Sequence, residues 1–227
     1  MAVITVARQI GSGGDLLAGQ VAQILGYECV DRRLVEEIAA ITDTTPEEVE
    51  RFDEKGEGRV KHFLKRLLVP QLSPGGFPLS PSAYFPEFGL EFPYVIERHG
   101  RQTAGLDQGT YQLLITTLVQ DFGTTGRAVI VGRASQAILA NHPQVIHLKV
   151  VAPLEQRCAR IASARRVDLE TARQLAEEHD RWRQLYLRNY YDLDWDDPLL
   201  YHATINTGRL EIEDAADLVV RYVVQQS

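Results

Sequence analysis

The chain has 227 residues, 44% of them hydrophobic and 24% charged, which suits one α/β domain carrying an insertion. A formal net charge of −7 argues against a general grip on nucleic acid or on an anionic membrane surface. No run approaches about 18 apolar residues, and the opening MAVITVARQ lacks the charged start and small-residue cleavage site of a signal peptide, so a cytoplasmic protein is expected.

Residues 3–7 form a continuous, β-branched apolar run, the pattern of a strand covered on both faces. A helix is expected from about Asp15 to Gly26, a residue suited to closing a helix. Residues 27–30 suit a short strand, Asp31 a cap for a helix over 32–40, and Thr45-Pro46-Glu47-Glu48 a further helix start. The segment 70–94, PQLSPGGFPLSPSAYFPEFGLEFPY, holds six prolines and four phenylalanines without helical or strand period. Its aromatics argue against simple disorder, so it is expected as an ordered excursion on its own domain or on a second subunit, a homodimer contact through 70–105.

Alternation of helix and strand then resumes. Helix is expected over 110–122, strand over 128–131, a short helix over 135–139 and strand over 145–151. Pro153 is expected in the first turn of a helix, and Asp168 caps another reaching about Tyr191. A last strand at 204–206 and an amphipathic helix over 212–224 close the chain. Strands alternating with helices imply a parallel sheet flanked on both faces. Cys29 and Cys158 stand apart without CxxC or Cys/His spacing and are expected as buried free thiols. No metal-ligating cluster is evident.

Between the first strand and helix lies Gly11-Ser12-Gly13-Gly14-Asp15. Such a turn lets backbone N–H groups and the helix N-terminus face an anion. The lysine-bearing template G-x-x-x-x-G-K-[ST] fails here: with its second glycine on Gly13 it places Arg8, Gly14 and Asp15 at the first glycine, the lysine and the hydroxyl. Glycines at a strand-to-helix turn also serve tight packing. Arg8 is the candidate for the missing positive charge. Asp15 favours the helix dipole and competes with phosphate for the same amides, or it holds magnesium. From Arg157 to Arg188 the chain gathers eight arginines against five acids, while only four of its 24 basic residues are lysine. Guanidinium forks match phosphate oxygens; a solvated face balanced by i,i+4 acids is the alternative.

The ordered blocks ARQIGSGGDLLAGQVAQILGYECVDRRLVEEIA, AVIVGRASQAIL, VIHLKVVAPLEQRCARI and DRWRQLYLRNYYDLDWDDPLLYHATINT, with the closing helix, resemble the cytidylate-kinase-like family of P-loop proteins. The blocks span about the whole chain except the proline-rich insertion. The resemblance implies a three-layer α/β P-loop kinase fold with a parallel sheet, a helical lid and the insertion, as one domain over 1–227 with 56–106 as an acceptor-side or partner-contact segment. Members resembling this chain use R-x-x-G-S-G-G, which Arg8 and Gly11 to Gly14 match. Asp15 departs from the arginine often found next.

The resemblance further implies that Gly11, Ser12, Gly13, Gly14 and Asp15 bind the nucleotide. Arg8, Arg160, Asp180 and Arg183 would act in phosphoryl transfer, and Asp31, Arg32, Arg133 and Arg157 would bind the acceptor. Gly132-Arg133 matches a Gly-Arg block that is normally followed by aspartate, where Ala134 and Ser135 stand here. The implied activity is a kinase moving the ATP γ-phosphate, with Mg2+, to CMP or another nucleoside monophosphate. The chemistry suits arginines on a closing helix, since phosphoryl transfer needs mainly alignment and charge neutralisation. Two other readings fit the same residues: a catalytically degenerate regulatory or assembly module, and a kinase for another small molecule.

Overall fold

The first strand, β1 (Val3–Arg8), is apolar and buried on both sides because it lies in the middle of a five-stranded sheet. The architecture is that of a computed structural model describing residues 2–31, 34, 36, 38–40, 45–46 and 108–226. Arg32, most of the helices expected at 32–40 and after Thr45, and the whole proline-rich segment with its expected dimer contact lie outside these residues. The chain divides into two compact units, Met1–Leu34 with Ile115–Ser227, and Val35–Leu114. The sheet belongs to the first.

Helix α1 (Gly14–Leu25) follows β1, with Gly26 closing it in the left-handed conformation. Next come β2 (Glu28–Val30), α2 (Gln108–Thr125), β3 (Ala128–Val131), α3 (Ser135–Ile138) and β4 (Val145–Val151). Two lid helices, α4 (Leu154–Arg165) and α5 (Leu169–Tyr191), precede a 3-10 turn at Pro198–Leu200, then β5 (Ala203–Asn206) and α6 (Ile212–Gln226). Pro153 is the N-cap of α4 rather than a first-turn residue. Asp168 caps α5 as expected, accepting from Thr171 N at 2.8 Å.

All strand pairs are parallel, in the order β2-β3-β1-β4-β5. Strand side chains alternate faces. Ile4, Val6, Val129, Val131, Leu148 and Val150 therefore pack on one side against Leu17, Ala18 and Val21 of α1 and Ala215, Ala216 and Val219 of α6. The intervening positions Thr5, His147 and Lys149, also buried, are polar. Thr5 Oγ1 meets His147 Nδ1 at 2.7 Å, so His147 is a satisfied core residue. The lid helices join through Cys158, Ile161, Ala172 and Ala176. Cys158 is a buried free thiol, but Cys29 is exposed. It lies on a three-residue strand at the edge of the sheet formed by the described residues.

Candidate functional site

The carboxyl ends of the parallel strands, where open α/β sheets place their ligands, carry Arg8, the glycine turn, Asp31 and Arg133, while Arg157, Arg160, Asp180 and Arg183 come from α4 and α5. At the end of β1 the chain turns through Gly11 (φ 74°) and Gly13 (φ 79°) into α1. Gly13 is the N-cap, no side chain caps the helix, and Leu17 N bonds back to Gly13 O at 3.0 Å. The amides of the first turn are thus left facing outward, as at any helix start. Ser12 is fully buried and its Oγ has no hydrogen-bond partner, an uncommon state for a hydroxyl.

Asp15 does not plug this turn. Its Oδ1 accepts from Arg8 Nε at 2.8 Å, and Arg8 Nη2 lies 3.8 Å from Asp31 Oδ1. The Arg8 guanidinium also crosses Gly132, where a Cβ would fall 2.1 Å from Nη1. Although Cys29 as a residue is exposed, partial burial of its thiol, then Asp31 and Asp15 nearby, raise it above its ordinary pKa.

The turn is braced from behind. Arg160 Nη1 donates to Gly11 O at 3.3 Å and to Thr207 Oγ1 at 3.2 Å, and its Nη2 donates to Thr207 O at 3.1 Å. Thr207 Oγ1 in turn donates to Ser12 O. Arg157 is buried and reaches Ala152 O (3.1 Å), Ile10 O (3.4 Å) and Asp180 Oδ2 (2.7 Å). Asp180 Oδ1 is 3.6 Å from Arg183 Nη1. Burial pushes the Asp180 carboxyl up, and Arg157 and Arg183 only partly offset this. Asp180 therefore links both lid helices to the glycine turn.

After β3, three consecutive residues adopt the left-handed conformation: Gly132 (φ 73°), Arg133 (φ 57°) and Ala134 (φ 51°). For non-glycine residues this stores strain of order 1 kcal/mol or more each, here directly before α3. Ser135 Oγ and Gln136 Oε1 are buried without hydrogen-bond partners.

The structure thus brings Arg8, Asp15 and Asp31 together, joins Arg157, Asp180 and Arg183, and sets Arg160 against the glycine turn. Arg133 stands on its own turn after β3. Sequence reading missed the Thr207 side chain and Lys149. Thr207 follows a strand end, a position where polar residues meet ligands or neighbouring loops. Lys149 was visible as a charge inside the apolar run VIHLKVV. Among the described residues no three His, Cys, Asp or Glu side chains cluster as a metal site, and no helix is long and apolar enough to cross a membrane.

A parallel sheet in this order, a glycine turn opening the helix after its central strand, and paired arginine-bearing helices define an α/β protein of the P-loop kinase fold. The chain belongs to the cytidylate kinase-like family, which it matches over residues 3–209. Among solved structures it is similar to an uncharacterized protein from Eubacterium ventriosum ATCC 27560, at 17% identity and a TM-score of 0.64 over 99% of both chains. It is also similar to a shikimate kinase from Bacteroides thetaiotaomicron, at 12% identity and a TM-score of 0.52 over 98% of both chains. No curated protein matches the sequence.

Proposed function

We propose that this chain is a nucleotide-dependent kinase that moves the γ-phosphate of ATP to a nucleoside monophosphate, with CMP the first candidate. The observation that carries the reading is the open glycine turn: its helix has no side-chain cap, and Ser12 Oγ is buried beside it without an acceptor. A polyphosphate supplies acceptor oxygens for the outward amides, as helix N-termini do for anions generally. Gly11, Ser12, Gly13 and Gly14 hold the donor phosphates, and Arg8 contributes the charge that a lysine gives elsewhere. Arg160 keeps the turn open through Gly11 O, and Arg157 anchors it through Ile10 O. Asp180 steers Arg183 toward the phosphate in flight, and Arg133 and Arg32 serve the acceptor.

Magnesium is usually held by one or two carboxylates together with substrate phosphates. Asp15 and Asp31, both turned to the Arg8 guanidinium, fit that donor set once phosphate engages Arg8. When bound, the ion supplies charge neutralisation on the phosphates. The residues of the chain supply alignment, since little covalent help is needed.

The test is ADP release by the purified chain with ATP, magnesium and a panel of nucleoside monophosphates. Release above the acceptor-free rate with at least one monophosphate supports the reading. Release with none of them contradicts it.

A further inference from the structure

Lys149 is the sole lysine among the described residues, and it is buried in the sheet with its side chain 5% exposed. Its Nζ donates to Trp195 O at 2.8 Å and to Asp196 Oδ1 at 2.6 Å, and it lies 4.3 Å from the centroid of the Trp195 ring. The second Asp196 oxygen, Oδ2, accepts from Gln184 Nε2 at 2.7 Å. Trp195 O also accepts from the Tyr201 hydroxyl at 2.9 Å. A continuous path therefore runs from Tyr201 through Trp195 O, Lys149 and Asp196 to Gln184.

This path adjoins arginines of the candidate site at two places. Trp195 packs with Ala134 of the strained Gly132-Arg133-Ala134 turn. Gln184 follows Arg183 on α5. The two elements also touch through apolar packing of Ala134 against Leu187 and Trp195, which brings them together but leaves sliding inexpensive. Directional hydrogen bonds do not permit that sliding. A buried ammonium is a costly way to fill space, because apolar side chains of similar volume often stabilise as well or better. What the apolar alternative lacks is a fixed set of donor directions, which the Lys149 ammonium supplies to Trp195 O and Asp196 Oδ1.

We propose that Lys149 is a positioning residue that fixes the separation of the Arg133 turn and the Arg183 helix, and so sets the grip on the acceptor. The role rests on the kinase reading above. Lys149 touches neither donor nor acceptor. It acts through Trp195, Asp196 and Tyr201, and the glycine turn that takes the donor phosphates is held separately by Arg160, Thr207 and Arg157.

The experiment compares wild type, Lys149→Met and Asp196→Ala in steady-state transfer from ATP to the monophosphate panel, alongside calorimetric ATP binding. Lys149→Met replaces the ammonium with an apolar side chain and leaves the half-exposed Asp196 to water, so it strands no buried charge; Asp196→Ala removes the counter-charge but keeps the Trp195 O acceptor. The expected result for each folded variant is a loss in kcat/KM for the acceptor of roughly 10- to 100-fold, the scale of a displacement of about 1 Å, with the Kd for ATP unchanged. A general structural defect would instead weaken ATP binding and acceptor use together, which overturns the role. Wild-type acceptor kinetics in Asp196→Ala overturn it as well. A wild-type protein that transfers to no monophosphate overturns the kinase reading and this role together, which distinguishes that failure from a failure confined to the variants.

Discussion

Arg8 Nε donates to Asp15 Oδ1 at 2.8 Å, and this bond turns the acid at the head of α1 away from the amides it would otherwise cap. The negative charge still stands beside the place where phosphates would settle. In Asp15→Asn, ATP without magnesium is expected to bind about fivefold more tightly, since one charge near a helix N-terminus is worth up to about 1 kcal/mol. Calorimetry at low salt measures this, and weaker binding would mean that the carboxylate helps rather than opposes the nucleotide.

A Cβ at Gly14 would fall 2.5 Å from Arg8 Cβ and 3.2 Å from Val150 Cβ, both packed positions with little room to yield. Gly14→Ala is expected to lower stability by about 1–3 kcal/mol, the usual cost of overpacking. It should also weaken ATP binding at least about tenfold, or ~1.4 kcal/mol, because the turn must shift. Urea unfolding and calorimetry on the same preparation separate the two effects.

Asp180 is the acid between Arg157 and Arg183. Asp180→Asn leaves the Arg157 guanidinium, only 7% exposed, without its counter-charge. A loss of about 3–5 kcal/mol is expected by urea unfolding, the cost of breaking a buried pair from one side. Arg183 is more exposed, at 27%, and Arg183→Gln should cost no more than about 1 kcal/mol while lowering transfer.

His147 carries a pH dependence of stability. Burial, then repulsion from His202, lowers its pKa to about 4 from an ordinary value near 6.5. Between these values the unfolded chain binds the proton and the folded chain does not, so stability rises with pH. The contribution is fully present above about pH 6.5 and is lost as the pH falls toward 4, with a slope of at most about 1.4 kcal/mol per pH unit. Urea midpoints across that range should lose this component in His147→Asn.

The elements were legible where local chemistry decides them. The apolar run of β1, the left-handed glycine after α1 and the Asp168 cap each express a local preference that the tertiary structure keeps. The destinations of the arginines were not legible. Arg157 and Arg160 lie three residues apart on one helix, yet one is buried against Asp180 and the other reaches Gly11 O and Thr207. That difference depends on where α5 and β5 pass, which no spacing encodes. Cys29 was misjudged for the same reason, because an edge strand reads like a central one until its neighbours are known. Lys149 stood in plain view, but its partners Trp195 and Asp196 arrive from 46 and 47 residues away.

In the kinase reading, the uncapped amides at the head of α1 take a polyphosphate without a lysine. Amide chemical shifts of the 15N-labelled chain, followed while ATP and then inorganic triphosphate are added, test this most directly. Saturable shifts of Gly13, Gly14, Asp15 and Leu16, strongly reduced in Arg8→Ala, are the predicted result. A folded protein whose amides at these four positions do not respond to either compound would contradict it.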